Sequence, residues 1–202
     1  NTSQRFKTIL FRNLMFSLAI SAIPALLPVI ALGELKSTAA QLGLFFTCVA
    51  VGSLVGAVVV LPYLRQRVSP NAITSIATGM AAAVLVAMAL GRNPAALMIT
   101  VGFAGVAWAM AASEFWIAGQ RVMPAWVRGR LNALLIMVGQ GGIALGSILL
   151  GAGAAHAGLD LTLTAAAILA FVGLGVGWRF SINFDGKDSV DAAPFNPLRC
   201  RS

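Results

Sequence analysis

At 202 residues the chain is long enough for one or two soluble domains, yet 59% of its residues are hydrophobic, 10% are charged, and the mean hydropathy is +0.90. A soluble chain of this size covers its surface with charge, whereas a surface against lipid needs none, so the composition is that of a membrane protein and excludes a soluble helix bundle. The net charge of +8 does not point to nucleic acid, because the fourteen basic residues sit in short clusters between long apolar runs.

Apolar intervals of the length a bilayer crossing takes, about 20 residues at about 1.5 Å each, occur six times. They predict helices at 8–32, 39–61, 71–90, 94–120, 129–155 and 159–180, so that 1–180 forms a transmembrane bundle. Residues 181–202, with Asp185, Asp188 and Asp191, read as a polar cytosolic tail or linker without a core of its own. The opening Asn1-Thr2-Ser3, without methionine, fits a processed product or a piece of a longer protein. The first apolar run is too long for a signal peptide and lacks a small-residue cleavage site, so it reads as a span.

In the first predicted helix Pro24 and Pro28 lie one turn apart; each removes an intrahelical hydrogen bond, which predicts a kinked outer half. The second carries Gly52 and Gly56, a four-residue spacing that puts two small residues on one face for close helix packing. A short basic turn with Arg65 and Arg67 follows it. The fourth contains Glu114, the one acidic residue well inside a predicted span. A carboxylate at that depth is costly unless paired or facing water, so it is a candidate for proton coupling or substrate contact. It also lies seven residues before Arg121, about 10 Å along the helix, which leaves open a structural ion pair with Arg121 or Arg128. Trp108 and Trp116 fall on a similar face, with Trp116 near the interface.

Gln120 leads into the basic turn that ends at Arg130. The fifth helix then shows a small residue at nearly every turn, Gly139, Gly142, Gly146 and Gly151, a face suited to packing. Asn132 and Gln140 are polar groups on it that need partners or water; with Glu114 and Gln120 they are the candidates for one continuous aqueous face. His156, beside Asp160 in an outer turn, reads as a surface histidine. No Cys-His pair, metal-spaced cluster or phosphate loop is present. Ser147 and His156 share one helix without a nucleophile elbow, so neither enzyme activity nor a metal or cofactor is expected.

Orientation follows from counting basic residues on alternate sides. Arg5, Lys7, Arg12, Arg65, Arg67, Arg121, Arg128, Arg130, Arg179, Lys187, Arg199 and Arg201 share one side; only Lys36 and Arg92 occupy the other. Twelve against two predicts both termini in the cytoplasm of a multi-pass plasma or inner-membrane protein.

Four stretches carry a resemblance to a known family: RFKTILFRNLMFSLAISAIPALLPVIA, LGLFFTCVAVGSLVGAVVVLPYLRQRVSP, GVAWAMAASEFWIAGQRVMPAWVRGR and MVGQGGIALGSILLGAGA. The most specific is the turn with Gln120, Val122, Pro124, Trp126, Val127, Arg128, Gly129 and Arg130. Together they resemble the C-terminal six-helix half of a major facilitator superfamily transporter, in the bacterial group of the enterobactin exporter and the transmembrane secretion effectors. The tail, with Asp191, Pro194 and Pro197, resembles the linker that precedes a further cytosolic domain in some members. The resemblance implies an all-α integral membrane fold, one 3+3 inverted repeat. It implies a secondary-active, usually proton-coupled exporter of a small organic molecule such as a siderophore or drug, working by rocking of two halves. The partners implied are the lipid bilayer and an N-terminal six-helix half, or a homodimer mate in its place. Arg65, Arg67, Arg121, Arg128 and Arg130 then serve topology and gating at the inner surface. The alternative is a truncated or non-transporting six-helix scaffold that binds partners through its glycine faces.

Overall fold

The computed structural model describes residues 2–91, 93–122 and 128–179, with side chains for 6–91, 93–120 and 129–175. The elements among them are all helices. α1 runs in three consecutive pieces, Thr2–Ile20, Ala22–Pro28 and Val29–Glu34, and α2 in three more, Ala39–Val55, Gly56–Val60 and Leu61–Arg65. α3 is Pro70–Leu90, α4 Pro94–Val122, α5 Arg128–Ala157 and α6 Leu159–Arg179. The first five are long and apolar enough to cross a bilayer; the apolar stretch described in α6, Leu159–Gly175, is shorter. The predicted tail, 181–202, lies outside the described residues.

Several helices overrun their predicted limits at the basic end. α1 begins at Thr2 rather than 8 and α2 continues to Arg65 rather than 61. Charge marks where side chains leave the hydrocarbon, but the backbone keeps its internal hydrogen bonds through the interface while arginines reach for water. Helix starts are set by local chemistry. Thr38 and Gln41 form a reciprocal capping box at α2: the Thr38 amide donates to Gln41 Oε1 at 2.9 Å, and the Gln41 amide to Thr38 Oγ1 at 3.3 Å. Ser69 accepts from the Ala72 amide at α3, with Pro70 in the first turn, where its missing N–H does no harm. Gly158, at φ 87°, turns the chain between α5 and α6.

The prolines act where the sequence places them. Pro24 cannot bond to the carbonyl of Ile20, and the α-helix breaks at Ser21. Beyond Pro28 the backbone widens into a π-helical stretch, with the Leu35 amide reaching back five residues to Ile30 at 3.0 Å. α2 repeats the device: Gly56–Val60 is π-helical just ahead of Pro62, whose ring would otherwise clash with a carbonyl one turn earlier.

Successive helices alternate in direction, so the start of α1, the α2–α3 turn, the end of α4 and the start of α5 gather at one basic end. α2 packs along α4, α5 along α1, α3 against α4, α6 against α1, and α3 against α6, with α1 also touching α4. Exchanging the first three helices with the last three maps this set of neighbours onto itself. α1 is the most enclosed, with Leu26, Leu27 and Ile30 fully buried.

Apolar burial does little to hold helices together in lipid, so close backbone approach through small residues matters more than in water. At the α2–α4 crossing a side chain on Gly52 would overlap the carbonyl oxygen of Gly102, and one on Gly105 would overlap that of Val49. Gly56 sits over Val106, 2.9 Å from where its Cβ would be. Ser53 Oγ links the two helices by donating to the Gly105 carbonyl at 3.1 Å. At the α1–α5 crossing Gly139, Gly142 and Gly146 face Asn13, Ser17 and Ser21 in the same way. Gly151 departs from the expected packing face: nothing lies within 4 Å of a Cβ placed there. It lies five residues beyond Gly146, which turns it off the face on which Gly142 and Gly146 follow each other at a spacing of four.

Candidate functional site

Charge counting treats Arg12 as a topology marker, but the structure buries it. It is 6% exposed, and its guanidinium fork spans two groups on α3, donating to Asn71 Oδ1 at 3.0 Å and Thr74 Oγ1 at 2.7 Å. The three-residue spacing of Asn71 and Thr74 puts both on one face of α3, which is what a two-pronged donor needs. A lysine offers a single point, so Arg12→Lys is expected to lose one charge-assisted bond and about 2 kcal/mol of stability, measured by unfolding in mixed micelles followed by circular dichroism. The signal in the sequence was the position of Arg12 inside a predicted span, with two hydrogen-bonding residues at the start of the third.

Glu114 is held from α2. Arg65 Nε donates to Glu114 Oε1 at 2.7 Å, with the carboxylate side chain 4% exposed and the arginine 38%. The partner expected from sequence was Arg121, seven residues along the same helix, or Arg128 beyond the turn; those side chains lie outside the described residues. Spacing along one helix could not reveal Arg65, because α2 and α4 are brought together by the Gly52–Gly102 and Gly105–Val49 contacts, distant in sequence. Arg12, Asn71, Thr74 and Glu114 line one small crevice of about 10 Å³, room for about one water molecule. At the end of α2 the Arg67 guanidinium stacks on the Tyr63 ring, 4.5 Å from its centroid. Arg130 is exposed at the start of α5.

A larger, half-open cavity of about 250 Å³ lies between α1, α4 and α5. Phe16 and Phe115 form part of its wall as a tilted ring pair 6.0 Å apart. Trp108, Trp116, Asn13 and Gln140 also line it. The close α1–α5 crossing positions this wall, and Asn13 Nδ2 fixes it further by donating to the Leu135 carbonyl at 3.0 Å. Of the four predicted pathway residues, only Gln140 lines this cavity; Glu114 lines the crevice at the basic end. Gln120 and Asn132 are half-buried, and Asn132 Oδ1 has no hydrogen-bond partner among the described residues. Sequence reasoning missed Asn13, Phe16 and Phe115 as cavity residues. Asn13 was the most readable of them, a polar side chain inside an apolar run. His156 is exposed at the end of α5, and Cys48 is an unpaired, half-buried thiol on α2. Among the described residues no group of histidine, cysteine and acidic side chains is arranged to hold a metal.

Long apolar helices of alternating direction and glycine-packed crossings mark a multi-pass membrane protein. The family follows from comparison: a profile described as transmembrane secretion effector, within the major facilitator superfamily, matches residues 1–200, and the chain belongs to that family. A search of curated proteins finds no match.

Proposed function

We propose that the chain is one six-helix half of a secondary-active, proton-coupled exporter of a small organic molecule. In this reading the α1–α4–α5 cavity is its share of the central pathway. The carrying observation is that cavity, walled by aromatic and amide side chains in a bundle whose other outward surfaces are largely aliphatic. Unpartnered amides are costly against hydrocarbon, which supports a face that meets water, a solute or a second half. The neighbour set that maps onto itself supports a 3+3 repeat. The concentration of arginines at one end supports a cytoplasmic location for that end and for both termini, in a plasma or inner membrane. There the Arg65–Glu114 pair ties α2 to α4 and acts as a gating contact, opening when the two helices separate.

The test is solute flux under an imposed pH gradient, with the dye Hoechst 33342 as probe. Proteoliposomes of the 202-residue chain alone are expected to show no flux, and flux is expected once a six-helix N-terminal half is co-reconstituted. Flux by the chain alone would assign the second half to a homodimer mate. No flux with both halves, for this dye and for the neutral probe named below, would favour the scaffold.

A further inference from the structure

The chemistry of the α1–α4–α5 cavity narrows what it takes. Four of its lining residues are aromatic, Phe16, Trp108, Phe115 and Trp116, and no charged side chain among the described residues lines it. Glu114 lines the separate crevice instead and is paired with Arg65. Polar capacity is present but uncharged. Asn13 spends its Nδ2 on the Leu135 carbonyl, which leaves Oδ1 as an acceptor, and the Gln140 side chain makes no hydrogen bond among the described residues. A dry cavity of about 150 Å³ holds a benzene ring, so a volume of about 250 Å³ suits a two-ring system. Rings stack or meet edge to face with such a wall, as Phe16 and Phe115 already do. A carboxylate or ammonium would enter a site with no counter-charge and lose its hydration.

We propose that this cavity is a binding site for an uncharged, planar, two-ring aromatic molecule bearing a hydrogen-bonding group, which stacks on the tryptophans and meets the Asn13 and Gln140 amides. The proposal builds on the exporter reading but is tested by binding rather than flux, so either can fail without the other.

The experiment is equilibrium dialysis of the full chain in lipid nanodiscs, with empty nanodiscs subtracted, against four probes: 2-naphthol, 2-naphthoate, naphthyltrimethylammonium and decahydro-2-naphthol. Saturable binding of 2-naphthol is expected, with each of the other three at least tenfold weaker. Trp108→Leu is expected to weaken 2-naphthol roughly tenfold, the worth of one favourable aromatic contact. Trp108→Phe should recover most of that, and Gln140→Leu should weaken 2-naphthol and decahydro-2-naphthol by a similar factor, since both carry the hydroxyl, leaving the preference for the aromatic ring intact. Val58→Ala, on the exposed face of α2, serves as the control for folding and lipid partitioning. Equal binding of the saturated analogue would overturn the aromatic selectivity. Tighter binding of the naphthoate or the ammonium probe would overturn the requirement for an uncharged ligand. Unsaturable uptake that ignores the tryptophan substitutions would remove the site altogether.

Discussion

Gly105→Ala is expected to be among the most destabilising single-methyl additions in the bundle, costing about 3 kcal/mol, the upper part of the usual range for overpacking. The added carbon would overlap the Val49 carbonyl oxygen and lie 2.8 Å from the Ser53 amide nitrogen and 2.9 Å from the Val49 carbonyl carbon. All three are backbone atoms, so relief requires α2 and α4 to part. Parting them also stretches the Ser53–Gly105 hydrogen bond. Gly141→Ala and Gly151→Ala provide the contrast, since nothing lies within 4 Å of the new carbon at either position. Both are expected to be neutral or to gain about 0.5 kcal/mol from alanine's better helix propensity. Unfolding in mixed micelles, followed by circular dichroism, separates the two outcomes. Equal effects at Gly105 and Gly141 would mean that α2 and α4 do not cross at these glycines.

The Arg65–Glu114 pair should respond asymmetrically to removal of its two members. Arg65→Ala leaves an almost fully enclosed carboxylate without its ion-pair partner, and removing one member of a buried pair costs about 3 kcal/mol or more. Glu114→Ala leaves an arginine that is already more than a third exposed at the end of its helix, 38%, and free to extend toward the interface. That loss is expected to stay within about 1 kcal/mol. The double substitution Arg65→Ala with Glu114→Gln is expected to recover most of the stability lost by Arg65→Ala alone, because no carboxylate is left without its partner. The same unfolding assay reads all three. A larger loss from Glu114→Ala than from Arg65→Ala would show that the buried member of the pair is the arginine.

The helical fold was readable because lipid imposes it: each long apolar run has to satisfy its own backbone, and the prolines and glycines punctuate the runs at the points where the structure bends or packs. Gly52, Gly56, Gly139, Gly142 and Gly146 were expected as packing positions from spacing, and a Cβ at each would meet an atom of a neighbouring helix within 3.1 Å. Their partners were not. Gly102 and Gly105 have no glycine four residues away, and only the α2–α4 crossing gives them meaning. The same limit applies to the site. Glu114 stands out in sequence as a charge in an apolar run, but its tie to Arg65 depends on a contact between residues 49 apart. Gln140 was found by its polarity and does line the cavity, whereas Phe16 and Phe115 look like any other apolar residue until α1 and α4 meet.

The central claim, that the α1–α4–α5 face is a solute pathway and not a lipid-covered surface, is tested most directly by thiol accessibility at Gln140. Cys48 and Cys200 are first replaced by alanine and serine, and Gln140→Cys and Leu149→Cys are made separately. Each is treated with a membrane-impermeant maleimide in membranes where the chain is assembled with its partner half. A maleimide needs a thiolate, which forms in contact with water. Gln140→Cys is expected to label rapidly, and Leu149→Cys, on the exposed aliphatic face of α5, to remain unlabelled. Labelling at neither position, or at Leu149→Cys alone, would contradict the account.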